Sequence, residues 1–273
     1  MPSDADLAVY SQELSATAAE AARLVAADLR AAFRSGMNVE FKRDQHDPVT
    51  VHDRRAEEAI SALLTTRVPG SSVVGEEDGA HEGSGDVTWY IDPIDGTANF
   101  ARGLAFFCTS IGAVVDGRIV AGAVLDPMAD HLFTADLSGA FLNGDRLRSA
   151  GVPDEAEAML LTSYPSARDL ATDGPVALER YGALVTEYGT VRRPGSAALS
   201  LSHVAAGWAD ASVGTAVSPW DICAGRLIVE QSGGSYHGFG GTGWNHPHFA
   251  ARTPDLEPTA LDQLVDALTA SLP

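Results

Sequence analysis

The chain has 273 residues, 45% of them hydrophobic, and a formal net charge of −19. That length supports one large domain or two modest ones with a sizeable core. The acidic excess repels polyanions, so neither nucleic acid nor an anionic membrane is expected as a partner. No apolar run reaches the roughly 18 residues of a membrane span. The start, Met1-Pro2-Ser3-Asp4, lacks the basic and apolar regions of a signal peptide, so a cytoplasmic protein is expected. Cys108 and Cys223 lie far apart among small and apolar neighbours and read as buried free thiols.

Leu7, Leu14, Ala18, Ala22, Val25 and Leu29 recur at helical spacing, which predicts one long helix over 6–33, ended by Gly36. Residues 37–50 are polar and read as a loop or short hairpin. Asp53 opens a second helix, 54–66, with Ala56, Ile60, Leu63 and Leu64 on one face. Ser72 to Gly75 is a short strand, Glu76 to Gly79 the turn after it, and 79–86 a Gly-rich acidic loop. Val87 to Ile91 is the next strand, ending at Asp92. From Phe106 to Phe141 alternation is broken by Asp116-Gly117 and Asp126-Pro127, which predicts an antiparallel meander, and Asn143-Gly144 signals a hairpin.

A boundary is expected near 149–157, dividing an N-terminal half, 1–150, from a C-terminal half, 151–273. In the second half strands at 159–162, 190–193 and 209–213 alternate with helices at 175–188, 196–206 and 220–231, and Leu261, Leu264, Val265 and Leu268 suit a last amphipathic helix. The interleaving predicts mixed sheets in layers with helices, an α+β and α/β arrangement. The segment Gly240-Gly241-Thr242-Gly243-Trp244-Asn245-His246-Pro247-His248 reads as a Gly-rich loop, with a substrate entrance as the alternative.

The most informative string is Trp89-Tyr90-Ile91-Asp92-Pro93-Ile94-Asp95-Gly96-Thr97-Ala98-Asn99-Phe100. Two carboxylates at a strand end offer hard oxygen ligands to a divalent cation, and the Gly-Thr turn offers backbone donors to phosphate oxygens. Three further acidic positions follow strands or open helices. They are Glu76 in Gly75-Glu76-Glu77, Asp53 after Thr50-Val51-His52, and Asp221 in Trp220-Asp221-Ile222-Cys223-Ala224-Gly225. Taken singly, Asp53 and Asp221 read equally as helix caps and Glu76-Glu77 as a solvated loop. Gathered together, like charges raise one another's pKa, and bound cations relieve that repulsion.

With these motifs the chain resembles the inositol monophosphatase family, Mg²⁺-dependent and lithium-sensitive phosphatases, over nearly its whole length. Gly195-Ser196-Ala197-Ala198 belongs to the same pattern. The resemblance implies a layered α-β-α-β-α sandwich, a homodimer, and two or three Mg²⁺ ions, with Mn²⁺ as a substitute. It implies that Glu76, Asp92 and the Ile94 carbonyl bind a first metal, and Asp92, Asp95 and Asp221 a second. Asp53 and Thr97 would orient the attacking water, with Glu76 also part of the catalytic set. Gly96 and Thr97 N–H groups would hold phosphate, with Ser196 and Ala197 beside the substrate. Glu77 would stand behind the first ligand, and Lys42 on the preceding loop would help close the site.

The reaction implied is hydrolysis of a small phosphate monoester by a metal-activated water, on inositol-1-phosphate or a related sugar-alcohol phosphate. The family's inositol-specific members carry an acidic residue where this chain has Gly214, and glycine offers no side-chain acceptor. Histidinol phosphate, a sugar bisphosphate, 3′-phosphoadenosine phosphate or another biosynthetic intermediate are therefore alternative substrates. A non-catalytic regulator that retains the fold is an alternative of another class.

Overall fold

The computed structural model describes residues 4–36, 39–41 and 48–272. Lys42, expected near the site, lies outside the described residues. The first helix, α1 (Asp4–Ala32), is followed by a two-stranded antiparallel ribbon of β1 (Val39–Phe41) and β2 (Pro48–Thr50). Helix α2 (Val51–Arg67) begins three residues before the expected 54. Thr50 is its N-cap, accepting from His52 N at 3.1 Å, and Asp53 is the third helical residue rather than the opener.

A large sheet is then built from β3 (Ser72–Gly75), β4 (Gly79–His81) and β5 (Val87–Asp95). After a short helix, α3 (Thr97–Arg102), it continues through β6 (Cys108–Val115), β7 (Arg118–Asp126), β8 (His131–Asp136), β9 (Gly139–Leu142) and β10 (Asp145–Arg146). Its order is β10-β9-β8-β7-β6-β5-β3-β4, and every pairing is antiparallel except β3 with β5. The expected meander is β6 to β9. Part of the acidic loop pairs as β4, since Gly79 to His81 find donors and acceptors on β3. The strand expected to stop at Ile91 runs on to Asp95.

The second sheet, β12-β11-β13-β15-β14, is assembled from β11 (Met159–Thr162), helices α4 (Ala167–Asp173) and α5 (Pro175–Glu187), β12 (Thr190–Arg192), helix α6 (Ala197–Ala205), β13 (Ala211–Gly214), helix α7 (Pro219–Ser232), β14 (Ser235–Phe239) and β15 (His248–Arg252). Helix α8 (Ala260–Ala270) completes the chain's elements. β12, β11 and β13 run parallel, whereas β15 and β14 are antiparallel. Sequence patterning leaves α4, β14 and β15 without a signal, because the last two are short and flank the Gly-rich segment.

Side-chain alternation produces the layers. Trp89 and Ile91 of β5 pack on Ala18, Ala22 and Leu29 of α1 and Ile60 and Leu64 of α2. On the other face, Cys108 and Val124 pack against Leu199 and Leu201 of α6 and Ile222 and Ile228 of α7. Those same helices meet Leu161 and Phe249 of the small sheet. Leu160, Ala211 and Val213 point the opposite way, onto Ala177 and Leu184 of α5 and Leu261 and Leu264 of α8. The result is the α-β-α-β-α sandwich.

Candidate active site

A bulge in β5 creates the centre of the site. Asp92 lies opposite Ser110 and Asp95 opposite Cys108, so three steps along β5 match two along β6. One extra residue inverts the alternation beyond it. Ile94 therefore points into the α1–α2 core with Trp89 and Ile91, and Asp95 points to α6 rather than away from it. Pro93 donates no ladder hydrogen bond and fits a bulge; its carbonyl accepts from Thr109 Oγ1 at 2.9 Å. Asp92 and Asp95 thus share one face. Gly96 then turns with φ +99°, and a Cβ there would crowd Phe106 O at 3.0 Å and Gly195 O at 3.3 Å.

Two helix starts supply further carboxylates by the same device. Asp53 Oδ2 accepts from Thr50 N (2.8 Å) and Thr50 Oγ1 (2.6 Å), while its Oδ1 lies 3.1 Å from Thr97 Oγ1. Asp221 Oδ2 accepts from Ser218 N at 2.7 Å at the start of α7. In each case one oxygen closes a helix end and the other is left to face inward. A helix-end role and an inward-facing carboxylate, both open from the sequence, are thus compatible at Asp53, whose two oxygens serve Thr50 and Thr97. Thr97 Oγ1 also lies 2.9 Å from Ile94 O, so its single proton has two acceptors.

Asp95 is held from the far half of the chain. Its Oδ2 accepts from Ser196 Oγ and from Ala198 N, each at 2.7 Å, at the N-terminus of α6. Ser196 Oγ in turn accepts from Leu199 N at 3.2 Å. The buried Cys108 thiol sits 3.6 Å from Ser196 Oγ, and burial and then Asp95 push its pKa up. Cys108 and Cys223 are both free and buried.

Electrostatics mark the cluster. Burial, followed by Glu76, Asp95, Asp221 and Asp53, pushes the Asp92 carboxyl well above the ordinary carboxylate range. Burial and then Asp95 raise Asp221. Asp95 is raised by burial to about 6 despite its bonds from α6. Asp53 is raised by burial, against the hydrogen bonds from Thr50 and Thr97. Among the described residues no three His, Cys, Asp or Glu side chains already converge as a closed cation cage. The carboxylates are instead tethered through one oxygen each to Ile94 N, Ala198 N or Ser218 N. The donor set is all hard oxygen and its unrelieved repulsion suits a divalent cation.

A cavity of about 240 Å³ opens beside this cluster, between Asp221, Ser196 and Ala197 on one side and Gly214 to Val217 on the other. Gly214 is glycine for a packing reason: a Cβ would fall on the Phe249 ring. That ring stacks on Tyr236, with centroids 5.6 Å apart. The Gly-rich 240–248 segment braces the cavity wall, since Val217 N donates to Pro247 O at 2.9 Å.

The structure brings Asp53, Glu76, Asp92, Ile94, Asp95, Thr97 and Asp221 into one neighbourhood, with Gly96, Ser196 and Ala197 at its edge. The Ser196 hydroxyl is engaged by Asp95 and Leu199. Glu77 is tied in through its backbone, its N–H donating to Glu57 Oε2 at 2.9 Å. Two contributors escape sequence reasoning. Asn99 Nδ2 donates to Phe106 O and Pro194 O, each at 2.7 Å, and ties α3 to the segment before β6 and to the loop before α6. Glu57 gives only the signal of a charged residue on the buried face of α2.

The model of the inositol monophosphatase family matches residues 11–269. Over 205 residues the chain is 40% identical to the Nus factor SuhB of Pseudomonas aeruginosa, covering 74% of this chain and 76% of that one. It is also 40% identical over 190 residues to an inositol-1-monophosphatase of Mesorhizobium japonicum, covering 69% of this chain and 71% of the relative. The crystal structure of the extragenic suppressor protein suhB from Bartonella henselae superposes with a TM-score of 0.81 at 29% identity, covering 94% and 97% of the two chains. By sequence, fold and match length, the chain belongs to the inositol monophosphatase family.

Proposed function

We propose that this chain hydrolyses a small phosphate monoester with the help of Mg²⁺ at the Asp92–Asp95 centre. The observation that carries this reading is the bulge at Asp92–Asp95, which puts two buried carboxylates on one face, where burial first and then the charges of Glu76, Asp95, Asp221 and Asp53 raise the pKa of Asp92. Glu76, Asp92, Asp95, Asp221 and the Ile94 carbonyl are the groups that would hold two or three ions. When bound, Mg²⁺ supplies the positive charge that a phosphate dianion needs and lowers the pKa of water.

The rest of the chemistry falls to the chain. Thr97 Oγ1 stands between Asp53 and Ile94 O, placed to take a proton from water and pass one to Asp53 Oδ1. The Gly96 turn opens α3 without a side-chain cap, which leaves the Gly96 and Thr97 N–H groups for phosphate oxygens. Ser196 and Ala197 border the cavity that takes the alcohol.

The family and a relative named inositol-1-monophosphatase support inositol-1-phosphate or a related sugar-alcohol phosphate as substrate. One observation favours a second reading. The side-chain space at Gly214 is filled by Phe249, so no carboxylate meets the alcohol there. That suits another small monoester, such as histidinol phosphate or a biosynthetic intermediate. A regulatory role is the remaining alternative, and Nus factor is the name of the Pseudomonas aeruginosa relative. The retained acidic set and a net charge of −19 argue for the enzyme and against nucleic acid as a direct partner. A cytoplasmic homodimer is proposed with it.

The test is phosphate release from a panel containing inositol-1-phosphate, glycerol phosphates, histidinol phosphate, a sugar bisphosphate and 3′-phosphoadenosine phosphate. Release that needs Mg²⁺ and stops with EDTA is expected for at least one ester. No release from any of them overturns the catalytic reading.

A further inference from the structure

We propose that Glu57 is a positioning residue for the acidic centre, setting the turn that carries Glu76. Glu57 is 1% exposed and lies one helical turn beyond Asp53 on α2. Its two oxygens are divided between successive backbone donors: Oε2 accepts from Glu77 N at 2.9 Å and Oε1 from Asp78 N at 2.7 Å. On the other side, Glu76 N donates to Ile91 O of β5 at 3.2 Å. The backbone around Glu76 is therefore clamped before its Cα by the sheet and after it by Glu57. Gly75 leaves the space, because a Cβ there would land on the Glu57 carboxylate. Helix α2 thus fixes two parts of the centre at once, Thr97 through Asp53 and Glu76 through Glu57.

Burying a carboxylate is costly. Two backbone N–H groups at the tip of a turn could instead be left to water. The arrangement makes sense as a device that holds Glu76 against Asp92 before any cation arrives. The inference rests on the reading that Glu76 helps to hold a divalent ion.

The experiment is Mg²⁺ binding by the full chain without substrate, followed by calorimetric titration and by the Mg²⁺-induced rise in Tm. Glu57→Gln keeps the shape but leaves one acceptor oxygen, and its NH₂ faces the second N–H. Mg²⁺ affinity roughly 10–100-fold weaker is expected in a folded variant, the range for supporting groups behind metal ligands. Should that variant fail to fold, Glu57→Asp, which keeps the charge and shortens the reach, takes its place with the same expectation. In the unaltered protein the Glu77 and Asp78 amides should resist hydrogen exchange even without Mg²⁺; exchange at free-peptide rates overturns the proposal. Equal affinity in wild type and a folded variant overturns it while leaving the phosphatase reading intact. Mg²⁺ binding that weakens as expected, with no ester hydrolysed, sinks the phosphatase reading and sustains the role of Glu57. A wild-type chain that binds no Mg²⁺ removes both.

Discussion

Ser196 Oγ lies 2.7 Å from Asp95 Oδ2, joining the end of a strand in one sheet to the start of a helix that packs against the other, 101 residues further along the chain. The same hydroxyl accepts from Leu199 N, so it both closes α6 and steadies Asp95. Ser196→Ala should lower the stability of the metal-free protein by about 1–3 kcal/mol, from a lost cap and a lost hydrogen bond to a carboxylate. Urea unfolding of both proteins measures it. A difference under about 0.5 kcal/mol would show that Ala198 N alone holds Asp95.

The proposed mechanism assigns proton handling to Thr97 and cation binding to Asp92. Thr97→Ala should lower kcat by about 10²–10⁴-fold, the usual share of general acid–base assistance, and change Mg²⁺ affinity only a few-fold. Asp92→Asn should lose Mg²⁺ affinity and turnover together. Titration calorimetry beside steady-state kinetics checks the split. Equal loss of both quantities in the two variants contradicts the division of roles.

Gly214 and Phe249 form a size-matched pair. Gly214→Ala pushes a Cβ into the ring and should cost about 1–3 kcal/mol. Combining it with Phe249→Leu should recover part of that loss, giving a favourable coupling in a double-mutant cycle. Additive losses would mean that the ring moves aside freely.

His203 gives a pH dependence whose sign follows from burial. Packed against Phe106, Phe133 and Trp208, its imidazole is pushed down by burial to about 4. Between about 4 and the ordinary 6.5 the unfolded chain carries the extra proton. Stability contributed by the neutral ring is complete above 6.5 and lost as pH falls through that window, by up to about 1.4 kcal/mol per pH unit. Replacing His203 with Leu should flatten the stability profile between pH 4 and 6.5. An unchanged slope would assign the acid sensitivity to other groups.

Periodicity placed the helices and most strands because amphipathic spacing is a local property. α1, α2, β3, β11, α5 and α7 all fall within a few residues of where the pattern put them. It failed at β14 and β15, short strands that pair with each other across a glycine run and join the sheet only where β15 meets the more distant β13. Within the site, the residue types and their spacing announced a carboxylate centre. They offered a helix end for Asp53 and Asp221 as well, but not how the oxygens are divided: in each, Oδ2 accepts from the backbone N–H three residues earlier.

By itself, then, the chain's order of residues determined most of the secondary elements, their layering and the acidic character of the centre, all of which follow from short-range pattern and side-chain type. Tertiary structure alone decided the bulge that turns Asp92 and Asp95 to one face, the burial of Glu57 beneath the Glu76 turn, and the ring that occupies the place of a side chain at Gly214. Each of these depends on where a second, remote segment comes to rest, and that is settled by packing the whole core rather than by any one stretch of sequence.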